Sequence, residues 1–290
     1  MDYLILAGAV VCASTSSIFG GFFNRSLSGK RGTSAFYNLF QLLTVFVGWT
    51  LLLIIDFEFN VAVIPYAVAF GIAYCVSTFG AINALRTGPV LLTSLITQFS
   101  LIATTIWGFF FWGSEPKATV FVGLALVVVA IFLCLYKGKG HNKNDKGFSF
   151  KWLFYVSFAF LGNAGTSIIQ RTQQTAFDGK YGNQLMSTAL FFGFLFFLVI
   201  FLRSDKSDAK FIIKKCYIPM GTGLFNLILN LFVMLMATSS LSPSLIYPTI
   251  SIGGLMIVTL FSLFAFRERL RASQWVGVAL GITSVLLLSL

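Results

Sequence analysis

Ten apolar stretches of about 20 residues each follow one another along this sequence, and that length lets a helix cross a hydrocarbon core of roughly 30 Å. Lipid offers no hydrogen-bond partner to the backbone, so segments that cross it satisfy their own N–H and C=O groups as helices. We therefore predict an all-α membrane protein with ten transmembrane helices, called predicted helices 1 to 10. They lie at about 3–24, 34–55, 61–84, 89–112, 118–136, 152–174, 184–202, 211–237, 241–266 and 272–290.

The composition agrees with this assignment. Hydrophobic residues make up 57% of the 290 residues and charged residues only 10%, whereas soluble domains contain about a quarter charged residues. The first apolar stretch has no basic region before it and no small-residue cleavage site after it. We therefore interpret it as a helix of the mature protein and not as a signal peptide.

The last fifty residues repeat an earlier part of the chain. A shift of 154 positions aligns Pro89 with Pro243 and Gly123 with Gly277, without a gap. Both copies have an apolar run that follows a proline, a charged corner, and a second apolar run with one aligned glycine. Because a repeat of this size defines the architecture of a membrane chain, we predict a first five-helix repeat over 1–137, a cytoplasmic linker over 138–150 and a second five-helix repeat over 151–290.

The basic residues are distributed unevenly between the two sides of the membrane. When the loops are assigned to alternating sides, all of the 20 Lys and Arg residues except Lys117, Arg171 and Lys180 fall on one side. Cytoplasmic loops are enriched in Lys and Arg, so we predict that both termini lie outside, in a cell (inner) membrane. The net charge of +11 is then a topology signal, and we expect a lipid bilayer and no nucleic acid among the partners.

Predicted helix 6 carries the most regular polar pattern. Asn163, Thr166, Ser167 and Gln170 recur at helical spacing on one face. An amide that is buried in lipid without a partner costs several kcal/mol, so this face must look into the protein. We interpret it as the wall of a substrate cavity, and polar contact between helices is the standing alternative.

Other helices add polar or aromatic residues that we expect to line the same cavity. The predicted substrate-binding residues outside predicted helix 6 are Asn226, Asn230, Tyr247, Tyr74, Gln98 and Ser17. Amides and hydroxyls would orient the ligand through hydrogen bonds, and the two tyrosines would give it an aromatic surface.

Predicted helix 9 contains residues that disturb helix geometry. Proline removes a backbone donor and glycine loosens the next turn, so Pro248 and Gly254 predict a hinge in a broken or kinked helix, with a purely structural kink as the alternative. In predicted helix 10, Gly277 and Gly281 have the spacing of a helix-packing motif. We interpret them as a contact within the chain or as the contact of a homodimer.

Enzyme chemistry has no support in the sequence. The four cysteines are scattered, and the single histidine, His141, has no acidic or histidine neighbour. The sequence contains no H-E-x-x-H, no G-x-S-x-G and no Walker-type loop. We therefore predict no catalytic residue, no metal and no cofactor.

Two motifs near the C-terminus indicate a family. Phe266-Arg267-Glu268-Arg269 ends an apolar run, and Trp275-Val276-Gly277 opens the last one. With ten helices in two halves, the chain resembles the drug/metabolite transporter superfamily, and the stretch from Ser251 to Leu290 resembles the last two helices of the small multidrug resistance proteins. The resemblance implies two inverted repeats and secondary active transport of a small molecule by alternating access through a central cavity, without ATP.

The chain departs from that resemblance at an important position. The small multidrug resistance proteins carry a carboxylate in their first helix, and the aligned region here reads Ala13-Ser14, with a counterpart near Asn163 in the second half. A cationic drug would lack its counter-ion. We therefore predict a small neutral or zwitterionic polar metabolite (amino acid, nucleobase, nucleoside or sugar) as the substrate. Export of hydrophobic or cationic drugs is the alternative, and a membrane scaffold without transport activity is a further one.

Overall fold

A computed structural model describes residues 2–27, 32–111, 118–135, 149–205, 207–237, 243–265 and 272–289. Apart from a short 3-10 turn at Val61–Val63, its regular elements are α-helices. These are α1 (Asp2–Ser26), α2 (Thr33–Ile55), α3 (Ile64–Thr87), α4 (Val90–Gln98), α5 (Ser100–Phe111), α6 (Ala118–Leu135), α7 (Phe150–Ala176), α8 (Gly182–Arg203), α9 (Ala209–Ile213), α10 (Tyr217–Ala237), α11 (Pro243–Phe264) and α12 (Ala272–Ser289).

Each predicted apolar stretch contains a helix, with two differences in detail. Predicted helix 4 is divided at Phe99 into α4 and α5, and predicted helix 8 begins at Tyr217, after the short α9. Within the described ranges, six helical segments are long and apolar enough to cross a membrane: Asp2–Ser26, Thr33–Ile55, Val61–Thr87, Phe150–Ala176, Gly182–Arg203 and Tyr217–Met236. The count of ten membrane spans and their inverted arrangement stay predictions. The linker as far as residue 148 and the two charged corners lie outside the described residues.

Helix starts follow from local chemistry where the structure describes them. The Ser149 hydroxyl accepts a hydrogen bond from the Trp152 N–H at 3.0 Å and caps α7. The Asn60 side chain does the same for the turn that leads into α3, accepting from the Ala62 N–H at 2.9 Å. Pro65 occupies the first turn of α3, where its missing N–H has no helical partner to lose.

The helices pack in pairs along the bundle. The main contacts are α3 with α7, α1 with α10, α1 with α11, α2 with α8, α2 with α10, α3 with α8, α4 and α5 with α7, α4 with α11, α11 with α12, and α6 with α12. Helix α6, which is almost wholly apolar, packs on α12. Gly277 and Gly281 of α12 are both buried within the single chain.

Helices α3 and α7 approach each other through reciprocal glycines. A Cβ on Gly80 of α3 would lie 2.5 Å from the backbone nitrogen of Ala159, and a Cβ on Gly162 of α7 would clash with the backbone of Ser77. Small residues permit this close approach of membrane helices. The Ser77 hydroxyl then donates to the Ala159 carbonyl at 3.4 Å.

The loop residues that the structure describes lie at two ends of the bundle. At the first, called the Arg25 end, Phe23, Leu27, Ile82, Ile212 and Ile218 form one apolar cluster beside the chain segments that carry Arg25, Arg86 and Lys214. At the second, called the Glu58 end, Asn60 and Gln184 exchange two hydrogen bonds of 2.8 and 2.9 Å. The Glu58 carboxylate also accepts from the Tyr181 N–H at 3.1 Å. The described basic residues of the predicted cytoplasmic loops therefore adjoin one end, whereas Lys180 lies at the other.

The glycine contact can be tested by adding one methyl group at a time. We expect Gly80→Ala and Gly162→Ala each to lower the free energy of unfolding in detergent by about 1–3 kcal/mol, because the new Cβ has no room against a rigid backbone. Gly165→Ala is the matched control, since its Cβ would meet only the Ala73 side chain, at 3.2 Å. Equal melting temperatures for all three variants would contradict this account.

Candidate functional site

Three polar side chains meet between α3 and α10. The Tyr74 hydroxyl of α3 lies 3.4 Å from the Asn226 side-chain oxygen of α10. The Asn230 side-chain nitrogen, one turn further along α10, donates to that same oxygen at 3.2 Å and to the Asn226 carbonyl at 2.8 Å. All three side chains are half-buried, so they keep some accessible surface inside a bundle of apolar helices.

Helix α2 completes this group, which we call the polar centre: Tyr74, Asn226, Asn230 and Gln41. The Gln41 side chain lies beside the Tyr74 hydroxyl. Helix α10 reaches α2 through Gly223, whose added Cβ would lie 2.5 Å from the Gln41 carbonyl. The polar centre is thus held by the close approach of α10 to α2, and its amides and hydroxyl are chemically suited to bind an uncharged polar molecule.

A second polar contact lies where α4 ends and α5 begins. The interruption at Phe99 removes helical hydrogen bonds, so carbonyl groups near it lose their usual N–H partners. The Asn163 side-chain nitrogen of α7 donates to the Ser100 hydroxyl at 2.6 Å and faces the Thr97 carbonyl at 3.5 Å. Asn163 therefore joins α7 to the interrupted helix formed by α4 and α5. This polar contact between helices is the alternative to cavity lining that the sequence left open.

The other predicted substrate-binding residues have more local partners. The Thr166 and Ser167 hydroxyls donate to the Asn163 carbonyl at 2.8 and 3.1 Å, and the Ser17 hydroxyl donates to the Ala13 carbonyl at 3.3 Å. These bonds stay within one helix. Gln170 is half-buried and makes no hydrogen bond within the part of the chain that the structure describes.

Two parts of the predicted site stand apart from the polar centre. The side chains of Gln98, Tyr247 and Pro248 lie outside what the structure describes. Gly254 is buried in α11, whose backbone runs without interruption from Pro243 to Phe264. The hinge at Pro248 and Gly254 stays a prediction, whereas the interruption that the structure does show lies at Phe99.

Gln41 and Ser100 were not among the predicted site residues. Gln41 has a sequence signal, since it follows Asn38 by one turn on a mostly apolar helix. Asn38 itself is 1% exposed, and neither polar atom of its amide has a hydrogen-bond partner among the described residues; a buried amide without a partner is costly in a protein interior. Ser100 has no such signal, because its role depends on a helix interruption that no proline or glycine marks.

Comparison with known proteins adds a partial likeness. The sequence matches no family model. Over 66 residues it is 41% identical to the probable 4-amino-4-deoxy-L-arabinose-phosphoundecaprenol flippase subunit ArnE of Pseudomonas fluorescens (strain Pf-5), and the match covers 23% of this chain and 57% of that protein. Among the described residues, six helices are long and apolar enough to cross a membrane. The chain is a multi-pass membrane protein.

A solved structure shares the fold. The crystal structure of another protein is similar to this chain, with a TM-score of 0.58 and 12% sequence identity. The likeness covers 97% of this chain and 96% of the other. At this level of identity the likeness shows the fold alone. It extends over nearly the whole chain, unlike the sequence match.

The contact at the helix interruption can be measured by a double-mutant cycle. We expect Asn163→Ala and Ser100→Ala to be less destabilising together than the sum of the single changes, because they remove the same hydrogen bond. Interhelical hydrogen bonds in membranes contribute about 0.6 kcal/mol on average and up to roughly 1.7 kcal/mol. Unfolding in detergent gives the coupling energy, and strictly additive losses would show that the two side chains do not interact.

Proposed function

We propose that this chain is a secondary active transporter that moves a small neutral or zwitterionic polar metabolite past the polar centre by alternating access. The observation that carries the proposal is the contact of Tyr74 with Asn226, which joins α3 and α10 in the middle of two membrane-crossing helices. Amides placed there need partners. A polar ligand that replaces this contact would provide them.

The packing supports two halves related by a pseudo-two-fold axis. If α1, α2, α3, α4 with α5, and α6 are exchanged for α7, α8, α10, α11 and α12, the α3–α7 contact becomes the α10–α1 contact. In the same exchange α2–α10 becomes α8–α3, and α2–α8 and α6–α12 map onto themselves. Five helices in each half give the halves opposite orientations in the membrane, as in inverted-repeat carriers.

The polar centre lies where such an axis would pass. Gly71 of α3 and Gly223 of α10 are 152 residues apart and make equivalent contacts, with the Ala189 and the Gln41 carbonyl respectively. Tyr74 and Asn226 are separated by the same 152 residues. Residues in equivalent positions of the two halves therefore contact each other. In inverted-repeat transporters the substrate site lies at the interface of the repeats.

The charge of the polar centre favours an uncharged or zwitterionic ligand. The acidic residues that the structure describes lie in loops or near helix ends, and the other three, Glu115, Asp145 and Glu268, lie between predicted helices in the sequence. We therefore expect no carboxylate in mid-membrane to balance a cationic drug. Export of hydrophobic or cationic drugs, the alternative from the sequence, gains no support from the Tyr74–Asn226 contact. We assign Asn163 a structural role, in which it holds α7 against the interrupted helix formed by α4 and α5.

A second candidate substrate is a lipid-linked sugar. One observation favours it, namely the 41% identity over 66 residues to a protein named as a subunit of a flippase for an aminoarabinose carried on phosphoundecaprenol. A sugar head group is rich in hydroxyls, so amides such as Asn226 and Asn230 would suit it as well as they suit a free metabolite. The match covers little more than half of that relative, and the class of cargo is therefore the main point to test.

The function can be tested with purified protein in detergent and then in sealed vesicles. A panel of amino acids, nucleobases, nucleosides and sugars is first screened for a rise in melting temperature, since a ligand at about 100 times its dissociation constant contributes roughly 2.7 kcal/mol. Uptake of the active compound into vesicles that contain the protein would establish transport. A panel without any active compound, with binding of a polyprenyl-linked sugar instead, would favour the second candidate.

The role of the polar centre predicts the behaviour of three variants. We expect Tyr74→Phe and Asn226→Ala each to weaken binding of that compound by about threefold to tenfold, the loss of one hydrogen bond. Thr283→Val is the control, because the Thr283 hydroxyl is exposed and bonds only to the Ala279 carbonyl of its own helix. Unchanged affinity in the first two variants would exclude the polar centre as the binding site.

The predicted orientation can be tested with single cysteines. We propose that the Arg25 end is cytoplasmic, because loop residues rich in Lys and Arg are retained on that side. In a background with the native cysteines replaced, Lys180→Cys should react with a membrane-impermeant maleimide on intact cells, and Lys210→Cys should react only after the cells are opened. Both side chains are exposed, so the reverse pattern would mean that the orientation is inverted.

A further inference from the structure

A groove opens on the surface of the bundle between α3, α7 and α8. Its volume is about 400 Å³, which is within the range of small-molecule sites. Its walls include Ile72, Val76 and Phe79 of α3, Phe158 of α7, and Phe192 and Phe196 of α8. All of the residues that line it are apolar or are glycine or cysteine, so the groove offers a ligand no charge and almost no polar surface.

The groove faces the lipid and does not face the polar centre. Ile72 is 63% exposed, Phe196 is 50% exposed and Phe192 is 43% exposed. All three lie within helices of membrane-crossing length, so their exposed surfaces face lipid. Tyr74 directs its hydroxyl towards Asn226, whereas the next residue, Cys75, is part of the groove wall. Helix α3 therefore separates a polar interior from an apolar groove that is open to the hydrocarbon core.

Two glycines form part of the groove wall, Gly71 of α3 and Gly193 of α8. A Cβ on Gly71 would meet the Ala189 backbone, and a Cβ on Gly193 would meet the side chains of Cys75 and Leu42, so the glycines allow close helix packing and the open volume lies against the larger apolar side chains. A dry void leaves its lining atoms without dispersion contacts on one side. Water is a poor occupant, because it needs two to four polar partners and the walls provide almost none. Because the groove opens to the hydrocarbon core, lipid hydrocarbon can fill it.

We propose that this groove is a binding site for one acyl chain of a bilayer phospholipid. The acyl chain lies along α3 and α8 beside Ile72, Val76 and Phe196, and it supplies the dispersion contacts that these walls lack on their open side. Because α3 and α8 belong to opposite halves of the chain, the bound acyl chain also supports the packing between the halves. The site is separate from the polar centre and does not depend on which compound is transported.

The test uses a phospholipid that carries a photoreactive diazirine in the middle of one acyl chain. The full-length protein is reconstituted into nanodiscs with increasing fractions of this probe, irradiated and digested, and the adducts are located by mass spectrometry. We expect adducts on the peptides around Val76 and Phe196 to saturate at low probe fractions. Adducts on the exposed face of α1, at Leu4 and Val11, should rise in proportion to the probe, as they would for bulk lipid.

Variants separate a specific site from the general lipid surface. Val76→Trp places an indole in the groove and should abolish the saturable adducts, and Ile72→Trp is a second change at a more exposed wall position. Val11→Trp, on the exposed face of α1, is the matched control and should leave them unchanged. Linear labelling of the groove peptides, or saturable labelling that survives both groove variants, would overturn the proposal.

The same experiment distinguishes other occupants. Unlabelled phospholipid should displace the probe from the groove peptides. If a polyprenyl phosphate displaces it at concentrations at which phospholipid has no effect, the phospholipid assignment is wrong and the groove holds the chain of a lipid-linked compound. Because the readout is labelling, a failure to find the transported metabolite leaves this result unaffected.

Discussion

The architecture depends on the close approach of α3 and α7, which permits no side chain at Gly80 or Gly162. Both glycines face the backbone of the opposite helix, so the two helices contact each other along their middle turns. The contact lines up Ala73 and Ser77 of α3 with α7. Tyr74 is thereby turned away from α7, towards α2 and α10, where it meets Gln41 and Asn226. A helix-packing constraint thus determines where the polar chemistry of the bundle is located.

Polar side chains in these helices make two kinds of hydrogen bond. One kind stays within a single helix, and the other joins two helices. Hydroxyls are short enough to bond the carbonyl one turn back, as Thr166, Ser167 and Ser17 do. Placing such residues in a membrane helix costs little free energy, so their presence says little about function. Amide side chains carry two donors and an acceptor and extend further, so Asn163 and Asn226 bond across helices. The amides, more than the hydroxyls, define the candidate site.

The sequence predicted the helices and three residues of the polar centre. Apolar length alone located α1, α2, α7 and α8 to within two residues at either end, because the bilayer imposes one length scale. It also singled out Tyr74, Asn226 and Asn230. It could not assign Asn163 to the α4–α5 interruption or Gln41 to Tyr74, since both depend on which helices are neighbours. Periodicity identifies the polar face of a helix, but the opposing helix becomes known only from the packing.

The position of the helix interruption follows from the same reasoning. If the last fifty residues and their earlier copy correspond as proposed, the shift of 154 residues places Phe99 opposite Gly253 and Ser100 opposite Gly254. The first copy is then interrupted where the second has two glycines in an unbroken helix. In the proposed repeat, Asn163 corresponds to the region of Ser14. Asn163 can donate to the groups that an interruption releases, whereas the Ser14 hydroxyl bonds to the Val10 carbonyl of its own helix. Glycine lowers the cost of bending, but in lipid an interruption persists only where a neighbouring side chain satisfies the backbone. The amide on the facing helix, more than the glycines, decides which half is interrupted.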